Sequence, residues 1–275
     1  MIQDIYPHVL HNHFDPSKRA DAQSIVLSYK GNDLLIQGET LPRMADIGGL
    51  EEQDLVFLFA VDDDKEFYLC RKEPAPASIP DGYEYINVRT LRGKGFAESY
   101  MAFAIYTGLH LSHWYCNNRY CGKCGALTRL DDRERALRCD CGNVIYPRIS
   151  PAVIVGVTNG EKLLVTKYRT GFAHFALVAG FTEIGETLEE TVAREVMEET
   201  GLKVKNIRYY KSQPWGIVDD LLVGFYCDVD GDDTIKMDES ELKVAEWRER
   251  AEIELQPDQF SLTNEMMTVF KKGLL

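Results

Sequence analysis

At 275 residues the chain is long enough for two domains, or for one domain with a substantial extension. Its 45% hydrophobic and 27% charged residues describe an ordinary globular protein, and no apolar run reaches the roughly 18 residues of a membrane helix, so no membrane partner is expected. A net charge of −13 argues against a surface built to grip long nucleic acid nonspecifically, while leaving room for a short nucleotide held through cations.

The N-terminus, Met1-Ile2-Gln3-Asp4, has no basic stretch followed by an apolar core, so a cytoplasmic protein is expected. Residues 1–113 read as a small α+β domain. Apolar alternation places short strands at Ser24–Tyr29, Asp33–Gln37 and Leu55–Val61. The proline-rich stretch Glu73–Pro80 excludes both a helix and a central strand and serves as a connector. A helical pattern follows over about Phe96–Ser112, with Met101, Ile105 and Leu109 four residues apart.

Residues 114–146 form the next segment. Four of the chain's seven cysteines fall within 21 residues, as Cys121-Gly-Lys-Cys124 and Cys139-Asp-Cys141. Two close pairs at this separation can bring four thiolates around Zn²⁺, with Gly125 and Gly142 allowing the tight turns behind each pair. Four thiolates leave no open position for water, so the expected zinc is structural. Cys70 and Cys227 lie in apolar, strand-like surroundings and read as core residues.

From residue 147 to 275 the pattern is mixed α/β. Strands are expected at Ala152–Val157, Lys162–Lys167, Phe175–Val178, Val204–Lys211 and Leu221–Asp228, and a last helix over Asp258–Lys271. Between them, Thr187 with Glu190 forms a capping box that starts a helix, and Gly201 can end it in the left-handed conformation. Leu188, Val192 and Val196 give that helix a buried stripe. Glu195, Glu198 and Glu199 share another face near its C-terminus, where like charges and the macrodipole both disfavour them. Arg194 offers partial relief by reaching Glu190 or Glu198; divalent cations bridging to phosphate would relieve far more.

The run Gly180-x5-Glu186-x7-Arg194-Glu195-Val196-x-Glu198-Glu199-x-Gly201-Leu202 resembles the Nudix box at every defined position. The resemblance implies a Nudix α/β/α sandwich with a mixed sheet, preceded by the zinc ribbon and the N-terminal domain. It implies a metal-dependent hydrolase of diphosphate bridges, using Mg²⁺ or Mn²⁺. By position, Glu195 and Glu199 would be principal metal ligands, with Glu198 assisting or acting as base, Glu186 joining the acidic cluster and Arg194 orienting the carboxylates. The Ala179 carbonyl and Glu241, six residues before Trp247, would add further ligands.

Three additional features narrow the resemblance: the preceding cysteine module, the junction Tyr146-Pro147-Arg148-Ile149-Ser150-Pro151, and Ser212-Gln213-Pro214-Trp215 after the box. With Ala179-Gly180-Phe181 they look like the NADH pyrophosphatase family. That likeness implies cleavage of NADH or NAD⁺ to nicotinamide mononucleotide and AMP, removal of NAD caps from RNA 5′ ends, and a homodimer. Tyr146 and Phe181 would stack on the nicotinamide, Gln213 and Trp215 would line the nucleotide pocket, and Arg92 and Glu134 would contact substrate. The chain departs from the family after Trp215: Gly216-Ile217-Val218-Asp219-Asp220 replaces a proline- and aromatic-containing array and adds two carboxylates. ADP-ribose or a dinucleotide polyphosphate is therefore the alternative substrate.

Overall fold

The computed structural model describes residues 1–92, 96–171, 173–257 and 260–275. Contacts divide the chain into two compact units. One comprises Gln3–Arg148 together with Trp215–Asp219; the other comprises Met1–Ile2, Ile149–Pro214 and Asp220–Leu275.

The N-terminal unit runs β1 (Leu10–His11), β2 (Ile25–Leu27), β3 (Tyr29–Lys30), β4 (Asp33–Ile36), β5 (Leu55–Val61), β6 (Lys65–Cys70), β7 (Glu84–Asn87), α1 (Met101–Asn117), β8 (Arg129–Leu130), β9 (Leu137–Arg138) and β10 (Val144–Ile145). Its strands form three small sheets, ordered β1-β5-β6-β2, β3-β4-β7 and β10-β9-β8. The unbroken apolar run of β5 is that of a strand covered on both faces, and Leu58, Phe59 and Val61 are wholly buried. Helix α1 starts and ends about five residues later than its apolar spacing suggests. Trp114 and Tyr115 are both buried and extend the packed stripe past Ser112, and Asn118 Nδ2 closes the end by donating to the Trp114 carbonyl (2.7 Å). Cys70 is buried as a core residue, and Cys116 is an exposed free thiol.

The second unit runs β11 (Ser150–Asn159), β12 (Lys162–Tyr168), β13 (Val178–Phe181), α2 (Leu188–Thr200), β14 (Val204–Trp215), β15 (Asp220–Val229), β16 (Leu242–Glu249) and α3 (Leu262–Lys271). Its mixed sheet has the order β14-β15-β11-β12-β16, with β13 also on β11. Strand β11 lies parallel to β15 in register from Ser150↔Asp220 to Thr158↔Asp228. Beyond their hairpin, β11 and β12 diverge: Thr158 and Asn159 pair with Leu163 and Lys162, whereas Ala152–Val155 pair with β13. That split lets Ala179, Gly180 and Phe181 enter beside β11.

Alternate residues of β11 face opposite layers. Val153, Val155 and Val157 pack with Val192 and Val196 of α2, while Ile154 packs with Leu262, Met266, Met267 and Phe270 of α3. The unit is thus an α/β/α sandwich. Phe175 and Leu177 enter the α3-side core, and the regular strand begins at Val178, three residues later than the apolar run suggests. Strand β16 was not evident in the sequence, because its alternation is masked by Lys243, Glu246, Arg248 and Glu249; pairing with β12 defines it. The last helix begins at Leu262, capped by the Ser261 side chain, which accepts from the Asn264 amide; the expected start at Asp258 lies outside the described residues.

Candidate active site

The chemistry-bearing segment of the second unit runs from β13 through a tight loop into α2. Thr187 is the N-cap, its side chain accepting from the Glu190 amide while the Glu190 carboxylate accepts from Thr187 N (2.8 Å). Gly201 ends the helix with φ 71°. The last helical carbonyls are capped by a later segment: Lys236 N donates to Thr200 O (2.8 Å) and Asp238 N to Glu199 O (2.9 Å). This cap also carries Glu241 alongside β12, where the Arg169 amide donates to the Glu241 carbonyl (2.9 Å).

Arg194 organises the carboxylates. Its Nε and Nη2 donate to the two oxygens of Glu186 (2.6 and 2.9 Å), Nη1 to Glu195 Oε1 (2.7 Å) and Glu198 Oε2 (3.0 Å), and Nη2 also to the Phe181 carbonyl (2.9 Å). Of the two partners expected for Arg194, Glu198 is the one reached; the capping box uses the Glu190 carboxylate, and Glu186 takes the guanidinium fork. Arg194, with the Glu183 amide and Thr191 hydroxyl, holds the Glu186 carboxyl down to about 2. Glu186 is thereby committed to fixing the arginine.

The three glutamates in the C-terminal half of the helix differ in surroundings. Glu198 is exposed, Glu195 is partly buried, and Glu199 is only 3% exposed. Glu199 Oε2 is buried with no hydrogen-bond partner. Burial, followed by the charges of Glu195 and Glu241, pushes the Glu199 carboxyl up to about 8, against the opposing Ala179 amide. Burial also raises Glu195, opposed by Arg194. Gly180 leaves the Glu195 carboxylate its place: a Cβ there would stand 2.0 Å from Glu195 Cδ and push it aside. A buried carboxylate oxygen with no donor, within reach of the charges of Glu195 and Glu241, is a hard-oxygen environment of the kind a divalent cation takes.

Tyr168, which nothing in the sequence singled out, belongs to this cluster. It ends β12 at a register shift, and burial followed by Glu199, Glu195 and Glu241 raises its phenol well above the usual range. Its hydroxyl therefore remains a proton donor beside the carboxylates. Phe181 lies on β13 with half of its ring exposed. Gln213 is wholly buried, its Nε2 donating to Phe260 O (2.5 Å) and its Oε1 accepting from Leu262 N (2.7 Å), so its amide fixes the entry to α3.

In the N-terminal unit, Cys121, Cys124, Cys139 and Cys141 bring their sulfurs within 4.8 Å of one another, with Cys121–Cys141 at 3.7 Å and Cys124–Cys139 at 3.4 Å. A zinc tetrahedron with Zn–S bonds of about 2.3 Å needs sulfurs about 3.8 Å apart, so the four thiols fit Zn²⁺. The Lys123 amide donates to Cys121 Sγ and, with the Cys124 amide and Asn143, lowers that thiol toward the thiolate a metal requires, while against the Cys141 amide the neighbouring thiols raise Cys139 in the same cluster. Gly125 and Gly142 take φ 76° and 85° behind the pairs. On the same ribbon, the Tyr146 hydroxyl donates to Glu134 Oε1 (2.8 Å), which also accepts from Arg138 Nη2 (3.1 Å). Arg92 and Trp215 meet as well, the guanidinium carbon 5.1 Å from the indole centroid. Of the two acids that replace the proline-containing array, the Asp219 carboxylate accepts from His113 Nδ1 (2.8 Å) and Asp220 is buried at the start of β15.

This fold and site define a Nudix domain behind a four-cysteine zinc ribbon. Residues 148–267 match the NUDIX domain family and residues 117–146 the NADH pyrophosphatase zinc ribbon domain. Among curated relatives, the chain is 36% identical over 172 residues to the NAD-capped RNA hydrolase NudC of Haemophilus influenzae (strain PittEE), covering 61% of this chain and 64% of that protein. It is 42% identical over 154 residues to the enzyme of the same name from Actinobacillus succinogenes, covering 53% and 58% respectively. The chain thus spans less than two thirds of the length of these relatives. A crystal structure of a NUDIX hydrolase from Nitrosomonas europaea aligns with TM-score 0.49 and 21% identity, covering 56% of this chain and 91% of that one.

Proposed function

We propose that the chain is a divalent-metal-dependent diphosphatase that hydrolyses NADH or NAD⁺ to nicotinamide mononucleotide and AMP, and acts likewise on NAD-capped RNA 5′ ends. The observation that carries this reading is the Glu199 carboxylate: buried, lacking a donor for Oε2, and set in a complete Nudix box. The names of the relatives support the NAD-bearing substrate.

In this reading Glu195 and Glu199 hold Mg²⁺ or Mn²⁺, helped by Glu198, Glu241 and the Ala179 carbonyl. Such ions, when bound, neutralise a diphosphate and acidify a water. Arg194 keeps Glu195 and Glu198 oriented, and Glu186 keeps Arg194 in place. Glu198, more exposed than Glu195 and Glu199, is the group that takes the proton of the attacking water. Phe181 and Tyr146 offer flat faces to the nicotinamide, with Glu134 fixing the Tyr146 hydroxyl. Arg92 and Trp215 contact the nucleotide, and Gln213 acts from within the fold. Cys70, Cys116 and Cys227 are free thiols and the other four cysteines converge for zinc, a usage that suits the cytoplasm. The homodimer of the resemblance completes the reading, and sedimentation of the purified chain checks it.

The rival substrates, ADP-ribose and dinucleotide polyphosphates, are motivated by the altered Gly216–Asp220 sequence. Incubating protein and Mg²⁺ with NADH, NAD⁺, ADP-ribose and NAD-capped RNA, then identifying the fragments, separates the readings. AMP plus the mononucleotide supports the proposal; inertness toward every nicotinamide compound removes it.

A further inference from the structure

Trp215–Asp219 folds with the N-terminal unit, although Pro214 and Asp220 on either side belong to the other. No proline stiffens this turn, yet it is held at three places. Gly216 lies against the backbone of α1, where a Cβ would stand 1.9 Å from the Tyr106 carbonyl oxygen and 3.3 Å from His110 Cβ. Trp215 and Ile217 are both buried, and the Trp215 ring meets that of Tyr106 with centroids 6.1 Å apart. At the far end, Asp219 adopts φ 62° and accepts from His113 Nδ1 at 2.8 Å. The other imidazole nitrogen, His113 Nε2, lies 3.0 Å from Asn32 Oδ1 in the turn between β3 and β4. The left-handed conformation at Asp219 is one that aspartate and asparagine tolerate better than most residues.

Arg92 also meets this indole, its guanidinium carbon 5.1 Å from the ring centroid. An arginine held over an indole is a cation of fixed position, suited to a phosphate or ribose phosphate. The contacts therefore run in series: Asn32 and His113 fix Asp219, Asp219 fixes the turn, and the turn fixes the indole on which Arg92 rests. We propose that His113, acting with Asn32 and Asp219, is a positioning residue that locks the Trp215–Asp219 turn and so sets where Arg92 and Trp215 meet the substrate. This rests on the reading of Arg92 and Trp215 as substrate contacts. A residue acting in this way governs the affinity for substrate and leaves the Glu195–Glu199 chemistry alone.

The test uses the full chain and four variants: His113→Ala, Asp219→Ala, their combination, and Asp219→Asn, which keeps both an Oδ1 acceptor and tolerance of the left-handed backbone. With NADH and Mg²⁺, His113→Ala and Asp219→Ala should each raise KM about tenfold with kcat within about twofold, and the double variant should be no worse than either single, as for two residues of one unit. Asp219→Asn should stay close to the parent. Hydrogen exchange at the amides of residues 216–219 should quicken in His113→Ala, with zinc content unchanged. Unchanged exchange, or faster exchange with unchanged KM, overturns the proposal even if the parent cleaves NADH well. A parent that cleaves no NADH instead removes the substrate reading, and the positioning role with it.

Discussion

Withdrawing the Glu199 carboxyl from water without giving Oε2 a donor costs the fold free energy, and the size of that cost depends on pH. Its folded carboxyl sits near 8, well above its ordinary 4.5. Between these values the folded chain keeps a proton that the unfolded chain has released, so stability falls as pH rises through this window. The loss amounts to about 1.4 kcal/mol for each tenfold difference in proton affinity between the folded and unfolded chains. Glu199→Gln should therefore raise the melting temperature at pH 8 in magnesium-free buffer by several degrees, and much less at pH 5; a thermal scan that shows no gain at pH 8 contradicts the burial argument. Arg194→Lys replaces a planar fork with a point charge, so it cannot hold both Glu186 oxygens and also reach Glu195 and Glu198. Turnover should fall roughly 10- to 100-fold with the helix intact by circular dichroism.

At the scale of elements, β13 matters because it brings a backbone without a side chain against the glutamates. Gly180→Ala would place a methyl 2.0 Å from Glu195 Cδ, the far end of a flexible chain that can swing aside. The expected outcome is a melting temperature within a few degrees of the parent alongside a kcat lowered about 100-fold, since a misplaced group near the chemistry costs about that much. The zinc ribbon responds differently. Cys139→Ser leaves three thiols, and zinc should fall well below one ion per chain, with loss of the β8–β10 hairpins detected by hydrogen exchange. What the sequence disclosed of these elements is what local rules govern. The Thr187–Glu190 capping box, the left-handed Gly201 and the four-cysteine spacing each work over a few residues. Strand β16, the cap that Lys236 and Asp238 place on α2, and Tyr168 beside Glu199 all depend on pairings far apart in the chain. Gln213 was legible as a residue of interest; its engagement with Phe260 and Leu262 was not.

Over the whole molecule, a net charge of −13 opposes the approach of a polyanion, so in the proposed function divalent cations supply the local positive field at the diphosphate. Among the described residues no helix is long and apolar enough to cross a membrane. Each unit brings its own kind of donor: four converging thiols in one, and a graded set of carboxylates in the other. The thiols suit an ion that stays, and the carboxylates suit ions that arrive with phosphate. The measurement that reaches this claim most directly is the release of AMP from NADH by the parent and by Glu199→Gln, followed as Mg²⁺ is titrated. Cation-dependent cleavage by the parent and none above background by the variant is the predicted result, with both chains retaining their zinc. Equal release by the two, or release that ignores Mg²⁺, would contradict it.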